Sequence, residues 1–426
     1  MVFSNKISGS MRSYSTVKFQ IYGICVKKRS HFSLSIRCIS LICYENKYWR
    51  IMLHIAVPKE LAAHEKRVAL SPVAVSQLIN DEHKVSIEKG AGVASNFLDQ
   101  HYVDAGATIV EHRDTLLADA DLILAVQTPA EEDLKKIKKG ATLICFLWAL
   151  QNPDLVSTLQ SLGITALGMD AIPRISRAQN MDALSSMSSI AGYKAALMAA
   201  SELDKYFPMM MTAAGTIPPS KALIMGAGVA GLQAIATCRK LGAVVEAYDV
   251  RPAVKEQVQS LGATFVEVPL EEADTETKGG YAKELSNDAQ ERQRQVMHEH
   301  VKKSDIVITT ALIPGKPAPL LVTEDMVKDM QAGSVIIDLA AENGGNCALT
   351  EAGKTVVKHD VKIVGPINVP SQLSNHASLL YAKNMQALLK LLIKDGELHF
   401  DLEDEIILNT TITKDGEIIS PVIPSN

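Results

Sequence analysis

The chain has 426 residues, more than one hydrophobic core usually serves, so its length asks for two or three domains and argues against a single small binding module. With 47% hydrophobic, 21% charged and 5% aromatic residues it reads as an Ala/Val/Ile/Leu-rich globular chain, neither disordered nor stapled by disulfides. Its net charge of −5 argues against nucleic acid as a main partner, because phosphate binding needs a basic surface.

That charge is unevenly spread. Residues 1–51 hold nine Lys or Arg against the single acid Glu45, and also nine serines and three of the six cysteines. Two readings fit this head: an organellar transit peptide, or an upstream extension ahead of Met52, which directly precedes the first clear strand. Either way it is expected to lie outside the fold. Cys145, Cys238 and Cys347 are far apart in apolar or Gly-rich company, which suits reduced thiols. No stretch reaches the roughly 18 consecutive apolar residues of a membrane span.

From Met52 to about Ile175, apolar runs (Leu53–Val57, Val85–Ile87, Asp121–Val126, Ala141–Leu147, Thr165–Met169) alternate with helical stretches, the βαβ rhythm of a mainly parallel sheet. Met181, Leu184, Met187, Ala191, Ala195 and Met198 then recur at spacings of three and four, predicting a long helix from about Met181 to Leu203 that connects two domains. Phe207–Pro219, rich in Met and ending in two prolines, breaks that pattern.

A second βαβ series follows at Ala222–Met225, Ala243–Tyr248, Thr264–Val268, Ile306–Thr309, Ser334–Ile337 and Val361–Val364. Six such strands are what a doubly wound nucleotide-binding sheet requires. Between them, 271–304 is too long and polar for an ordinary connection; with Gly279-Gly280-Tyr281 at its centre it reads as a lid, or as a solvated loop followed by the charged helix Ala289–Lys303. His298 and His300 in that helix are spaced by two and share no face, so no metal is expected. The chain closes with an amphipathic helix over about Asn375–Lys394, packing back on the first domain, and a hairpin around Lys414-Asp415-Gly416. The expected division is therefore 52–185 completed by 375–426, with 186–374 as the nucleotide-binding domain.

Gly226-Ala227-Gly228-Val229-Ala230-Gly231 follows one strand and opens a helix. The glycines allow a tight turn, close backbone approach to a pyrophosphate and close helix-to-strand packing, while the helix start offers free N–H groups to the phosphates. Asp249 closes the next strand, where a carboxylate accepts the adenosine ribose hydroxyls and repels a 2′-phosphate, favouring NAD over NADP. A simple turn cap before Pro252 is the bland reading of Asp249, and Arg251 stands close enough to receive a 2′-phosphate.

Arg174-Ile175-Ser176-Arg177-Ala178-Gln179-Asn180-Met181-Asp182-Ala183-Leu184-Ser185-Ser186, then Ala191-Gly192-Tyr193 and the glycine loop, resemble the soluble NAD(H)-binding subunit of proton-translocating NAD(P) transhydrogenase. Val57–Glu60, Glu65–Leu70, Ala311–Pro317 and Asp338–Cys347 also match, and the resemblance runs from Met52 to the C-terminus. It implies two Rossmann-like doubly wound domains with the NAD site in the cleft between them. It further implies that Arg174 approaches the ribose-phosphate end of the cofactor, that Asp182 and Ser185 hold the carboxamide, that Gln179 faces the nucleotide on the partner subunit, and that Tyr193 lies near the ring. These four, Arg174, Gln179, Asp182 and Ser185, are the candidate catalytic positions; Gly226, Gly228, Val229, Ala230, Gly231, Asp249, Arg251, Tyr193 and Tyr281 are the candidate cofactor contacts. Without the resemblance, Asp182 and Ser185 read equally as first-turn helix residues and Arg174 as a solvated strand end.

The implied activity is hydride transfer from NADH to NADP⁺ held on a partner subunit, coupled to proton translocation. The implied assembly is a homodimer joined to membrane-spanning chains at the cytoplasmic face of the inner membrane. Hydride passing from ring to ring needs no side chain to carry a proton, so no nucleophile triad or paired carboxylates are expected. The alternatives are a stand-alone dehydrogenase resembling alanine dehydrogenase and a non-catalytic NAD-binding module. Where alanine dehydrogenase has a lysine and a histidine, this chain has Gln127 and Trp148, which leaves Arg67 and Lys59 as structural residues.

Overall fold

Four-to-six-residue runs such as Leu122–Gln127 and Val335–Asp338 are apolar on both faces, so each is buried only as an interior strand with helices above and below. The computed structural model describes residues 53–268, 287–313 and 315–423. The basic head, Tyr281 and the part of the expected lid before residue 287 therefore lie outside the described residues.

Among the described residues, eight strands form the first sheet, in the order Glu417–Ile418, Thr411–Lys414, Thr165–Gly168, Thr142–Phe146, Leu122–Gln127, His54–Val57, Lys84–Glu88 and Thr108–Val110. The six strands of the N-terminal region are parallel, in the sequence order 3-2-1-4-5-6. The hairpin that joins this sheet through Thr411–Lys414 is antiparallel and turns at Asp415 and Gly416, with φ of +52° and +82°. The second sheet repeats the winding: Thr264–Phe265, Val244–Tyr248, Lys221–Met225, Ile306–Thr309, Val335–Asp338 and Val361–Val364 are parallel, and an antiparallel edge strand, Thr355–Lys358, completes it. Thr108–Val110 and Thr355–Lys358 go beyond the strands expected from the sequence, and the expected strand Thr264–Val268 shortens to two residues.

One helix serves both layers. Ala183–Glu202 buries Ala183, Met187 and Ile190 in the core over the first sheet, then Ala195, Ala196 and Ala199 in the core over the second. The helix Ser374–Leu392 returns to the first core through Ala377, Tyr381, Ala382, Met385, Leu388 and Leu389, and the Tyr381 hydroxyl donates to the Ala125 carbonyl at 2.8 Å. Phe207–Pro219 contains a short hairpin, Met210–Thr212 paired with Gly215–Ile217, which leaves Met209, Met211 and Ile217 exposed. No described helix is long and apolar enough to cross a membrane.

The carboxyl ends of the two sheets meet in a buried polar network. Glu65 and Arg67 form a two-pronged pair, with Arg67 Nε to Oε1 at 2.8 Å and Nη2 to Oε2 at 2.6 Å. Gln127, Asn368 and Ser371 also donate to that carboxylate. Asn368 follows the strand Val361–Val364, and its N–H donates to Glu342 of the second layer. Burial pushes the Glu65 carboxyl up, but the bonds and charge of Arg67 outweigh it and hold the group at about 2. Glu60 is the opposite case. Burial, with the repulsion of Glu65, raises it to about 7 even though it accepts the N–H groups of Val126 and Gln127.

These shifts act in separate pH windows. Glu65 has a depressed folded-state pKa, so its contribution is present above the unfolded value and fades as pH falls towards 2. Glu60 has a raised one, so the fold binds its proton more tightly than the unfolded chain does, and stability is lost as pH rises from about 4 to about 7. Glu60→Gln keeps an acceptor for Val126 without the charge. Its unfolding free energy is expected to exceed that of the wild type at pH 8 by a margin on the order of 3 kcal/mol that shrinks steadily towards pH 5; stabilities that track each other across this range would contradict the assignment.

Candidate nucleotide site

In the second sheet, chain order reverses between Lys221–Met225 and Ile306–Thr309, which opens a crevice at their carboxyl ends. The glycine loop occupies that point. Gly226 donates its N–H to the Tyr248 carbonyl at 2.8 Å and turns the chain with φ of +103°, while the Thr310 hydroxyl donates to its carbonyl at 3.1 Å. A Cβ on Gly231 would overlap the Gly226 carbonyl, so the helix Val229–Lys240 seats directly against the strand end. Gly228 is its N-cap and offers no side-chain oxygen to the first-turn N–H groups. Those donors, and the positive end of the helix dipole, are what a pyrophosphate requires. Val229 is exposed and Ala230 half-buried at the same turn.

Asp249 ends the adjoining strand with its carboxylate turned into the loop, where Oδ2 accepts the Ala227 N–H at 2.7 Å. Arg251 reaches the same carboxylate, and its Nη2 stands 4.0 Å from where a Cβ on Gly228 would be. Asp249 is thus more than the turn cap of the bland reading, because it braces the glycine loop itself.

Two neighbouring residues have no role legible in the sequence. Asp338, fully buried at the end of Val335–Asp338, accepts from Thr309 Oγ1, Thr350 Oγ1 and the backbone N–H groups of Ala340, Asn346 and Cys347. Asn346 in turn accepts the Ala311 N–H and donates to the carbonyls of Ala311 and Pro319. Together they hold the loops that flank the crevice. Only the place of Asp338 at a strand end hints at this, since hydrogen bonds between distant loops leave no periodic signal.

The segment Arg174–Ser185 enters the bridging helix by a 3-10 turn, Ser176–Met181, that exposes Gln179. Arg177 fastens the turn to Asp404 with bonds of 2.7 and 2.8 Å, and Asn384 holds the Asn180 carbonyl at 2.9 Å. Arg174 is also exposed. Asp182 caps the helix, accepting the Ser185 N–H at 2.8 Å and the Ser185 hydroxyl at 2.5 Å, so here the plain first-turn role expected of these two residues is the geometry found. Further along, a Cβ on Gly192 would overlap the Ala230 carbonyl oxygen, so the bridging helix rests on the glycine-loop helix backbone to backbone. Tyr193 stands beside this crossing with 41% of its surface exposed. The structure therefore joins the Gly192–Tyr193 turn to the glycine loop and leaves Arg174 and Gln179 at the outer end of the same helix.

Elsewhere, Gln127 Nε2 donates to Glu65 at 3.0 Å, and Trp148, at φ of +50°, stacks on Phe146 while its backbone N–H donates to Asp170. Neither supplies a cation or a proton-accepting ring beside Arg67, whose guanidinium is committed to Glu65. Lys59 is exposed and enters the fold through its backbone, its N–H on Glu88 and its carbonyl receiving Arg113. His298 and His300 face Asp329 and Glu246 separately, and no group of three or more potential metal ligands stands together among the described residues.

The family models for the alanine dehydrogenase/PNT N-terminal and C-terminal domains match residues 56–191 and 195–421. In Rhodospirillum rubrum, the first portion of NAD(P) transhydrogenase subunit alpha is 51% identical over 379 residues, covering 87% of this chain and 99% of that protein. The NAD(P) transhydrogenase subunit alpha of Haemophilus influenzae is 46% identical, over 86% of this chain and 72% of its own length. The crystal structure of transhydrogenase from Sinorhizobium meliloti superposes with a TM-score of 0.76 at 42% identity, over 87% of this chain and all of that one. With two sheets of the same winding, a braced glycine loop and relatives at this level of identity, the chain belongs to the alanine dehydrogenase/PNT family, on its NAD(P) transhydrogenase alpha-subunit branch.

Proposed function

We propose that the chain binds NAD(H) across the glycine loop and the start of the bridging helix, and exchanges hydride with NADP(H) held on a partner subunit, in a complex that couples the exchange to proton translocation. The observation that carries this reading is the backbone contact of Gly192 with Ala230, which ties a phosphate-binding helix start to the segment bearing Arg174, Gln179, Asp182 and Ser185. Ser185 lies seven residues before Gly192, about 10 Å along the helix axis. That distance is comparable with the nicotinamide riboside arm of a dinucleotide.

The residues suit the group. First-turn N–H groups of Val229–Lys240 take the pyrophosphate, Gly228 leaves room for it, and Asp249 reads the adenosine ribose and disfavours a 2′-phosphate. Asp182 and Ser185 orient the carboxamide, their mutual bonds opening to admit it, and Arg174 faces the ribose-phosphate. Tyr193 shields the ring from the side of the helix crossing, and Tyr281 is assigned to the same cofactor by resemblance. The bound cofactor supplies the hydride; the chain supplies position and exclusion of water. Gln179 is exposed ahead of the cap, which supports its assignment to the partner's nucleotide. Amino-acid oxidation is disfavoured by Gln127 and Trp148, which offer no base.

In this reading 52–185 with 375–426 form one domain and 186–374 the other, with the cofactor between them. The exposed hairpin bearing Met209, Met211 and Ile217 docks on a second copy, and the assembly lies at the cytoplasmic face of the inner membrane through its partners. Light scattering of the purified chain is expected to give a dimer, and a monomer would refute the docking role.

Reconstitution tests the function itself. Mixed with a purified NADP(H)-binding transhydrogenase subunit, the chain is expected to support reduction of an NAD⁺ analogue by NADPH, whereas alone with alanine it reduces nothing; the reverse pattern would overturn the proposal. Asp249→Ala is expected to weaken NADH binding by about tenfold or more, the equivalent of roughly 1.4 kcal/mol, and to relax discrimination against NADPH. Unchanged affinity for both nucleotides would remove Asp249 from the site. Gln179→Asn is expected to leave the NADH dissociation constant near that of the wild type while transfer slows, and an equal loss of both would give it a binding role instead.

A further inference from the structure

The fingerprint acid is already fully engaged from within the chain. Its Oδ2 accepts the Ala227 N–H at 2.7 Å and Arg251 Nη2 at 2.9 Å, and its Oδ1 accepts the Arg251 N–H and Nε, each at 2.9 Å. A carboxylate has about four lone-pair sites, so these four donors fill it. The two side chains are only 5% and 14% exposed. A ribose diol brings two hydroxyls that must donate to this carboxylate. Two of the four present donors are backbone groups that cannot leave without unwinding the glycine loop or the strand end. The other two belong to one guanidinium, which leaves by rotation of a single side chain.

We propose that Arg251 is an internal stand-in for the adenosine ribose: it occupies Asp249 until the dinucleotide displaces it, and so sets both the affinity for NADH and the margin against NADPH. The inference rests on the nucleotide-binding reading of this site. The planar guanidinium holds a carboxylate in the same two-pronged manner as a cis-diol, and it lies over the glycine loop near Gly228, where the dinucleotide must pass. The displacement subtracts from NADH affinity the bonds that Arg251 gives up. Once displaced, the cation stays tethered at the rim two residues from the acid, where a 2′-phosphate would stand, and it offsets part of the repulsion that Asp249 exerts. Arg251 thereby opposes Asp249 twice, weakening the preferred nucleotide and sheltering the excluded one.

The test is calorimetric titration of the full chain and of Arg251→Met and Arg251→Lys with NADH and with NADPH. Methionine keeps the stem and removes the donors. Arg251→Met is expected to tighten NADH by about tenfold and weaken NADPH, widening the ratio of their dissociation constants by more than tenfold. Arg251→Lys, with a cation but no paired donors, is expected to tighten NADH less and to keep the wild-type affinity for NADPH. Weaker NADH binding by Arg251→Met, or an unchanged ratio in both variants, would overturn the inference while leaving the site standing. Failure of the wild-type chain to bind NADH would overturn the proposed function and this inference together.

Discussion

The constraint on which the rest of the structure depends is the absence of a side chain at Gly192. A Cβ there would stand 2.7 Å from the Ala230 carbonyl carbon and overlap its oxygen, so the two helices cross at the closest approach that backbones allow. One is the helix that opens on the glycine loop, and the other has Asp182 as its N-cap. Small residues extend the contact, with Ala195, Ala196 and Ala199 on the bridging helix buried in the same core as Ala234, Ile235 and Cys238 on the other. Because the first half of the bridging helix is buried in the opposite core, it acts as a strut that transmits the geometry of one sheet to the other.

The second tie between the layers is polar. Arg67, Gln127, Asn368 and Ser371 share the Glu65 carboxylate, and Asn368, whose own N–H holds Glu342 of the second layer, carries the tie across. A buried ion pair of this kind adds little net stability over an apolar substitute but is costly to break, so it works chiefly as a register pin. It also commits the Arg67 guanidinium within the chain. Gln127 donates to the same carboxylate, so its amide serves the pin as well.

Much of this is legible in the letters. The glycine loop, the strand before it and the acid after it are a local pattern, and the steric demands that Gly226 and Gly231 answer can be read without coordinates. The alternating apolar runs reveal two parallel sheets because buried strands must be apolar throughout. What the letters hide is pairing over distance. Thr411–Lys414 adds to a strand at Thr165–Gly168, and Thr355–Lys358, an edge strand facing water with only two apolar residues, gives no continuous apolar run. The site is hidden at the same level. Asp249 and Arg251 are two residues apart, and their spacing suggests an arginine free to take a phosphate, not one that folds back on the acid. Asp182 matches a ligand-holding position by resemblance, yet it first satisfies its own helix.

The strut is tested most directly at Gly192. In isolation, Gly→Ala inside a helix favours folding by about 1 kcal/mol, so a helix-propensity effect and a displacement of the two helices have opposite signs. Gly192→Ala is expected to show a lower thermal midpoint, weaker NADH binding, and a still larger fall in the rate of hydride exchange with a partner-bound NADP(H). A variant that is more stable than the wild type and transfers hydride at the same rate would contradict the strut.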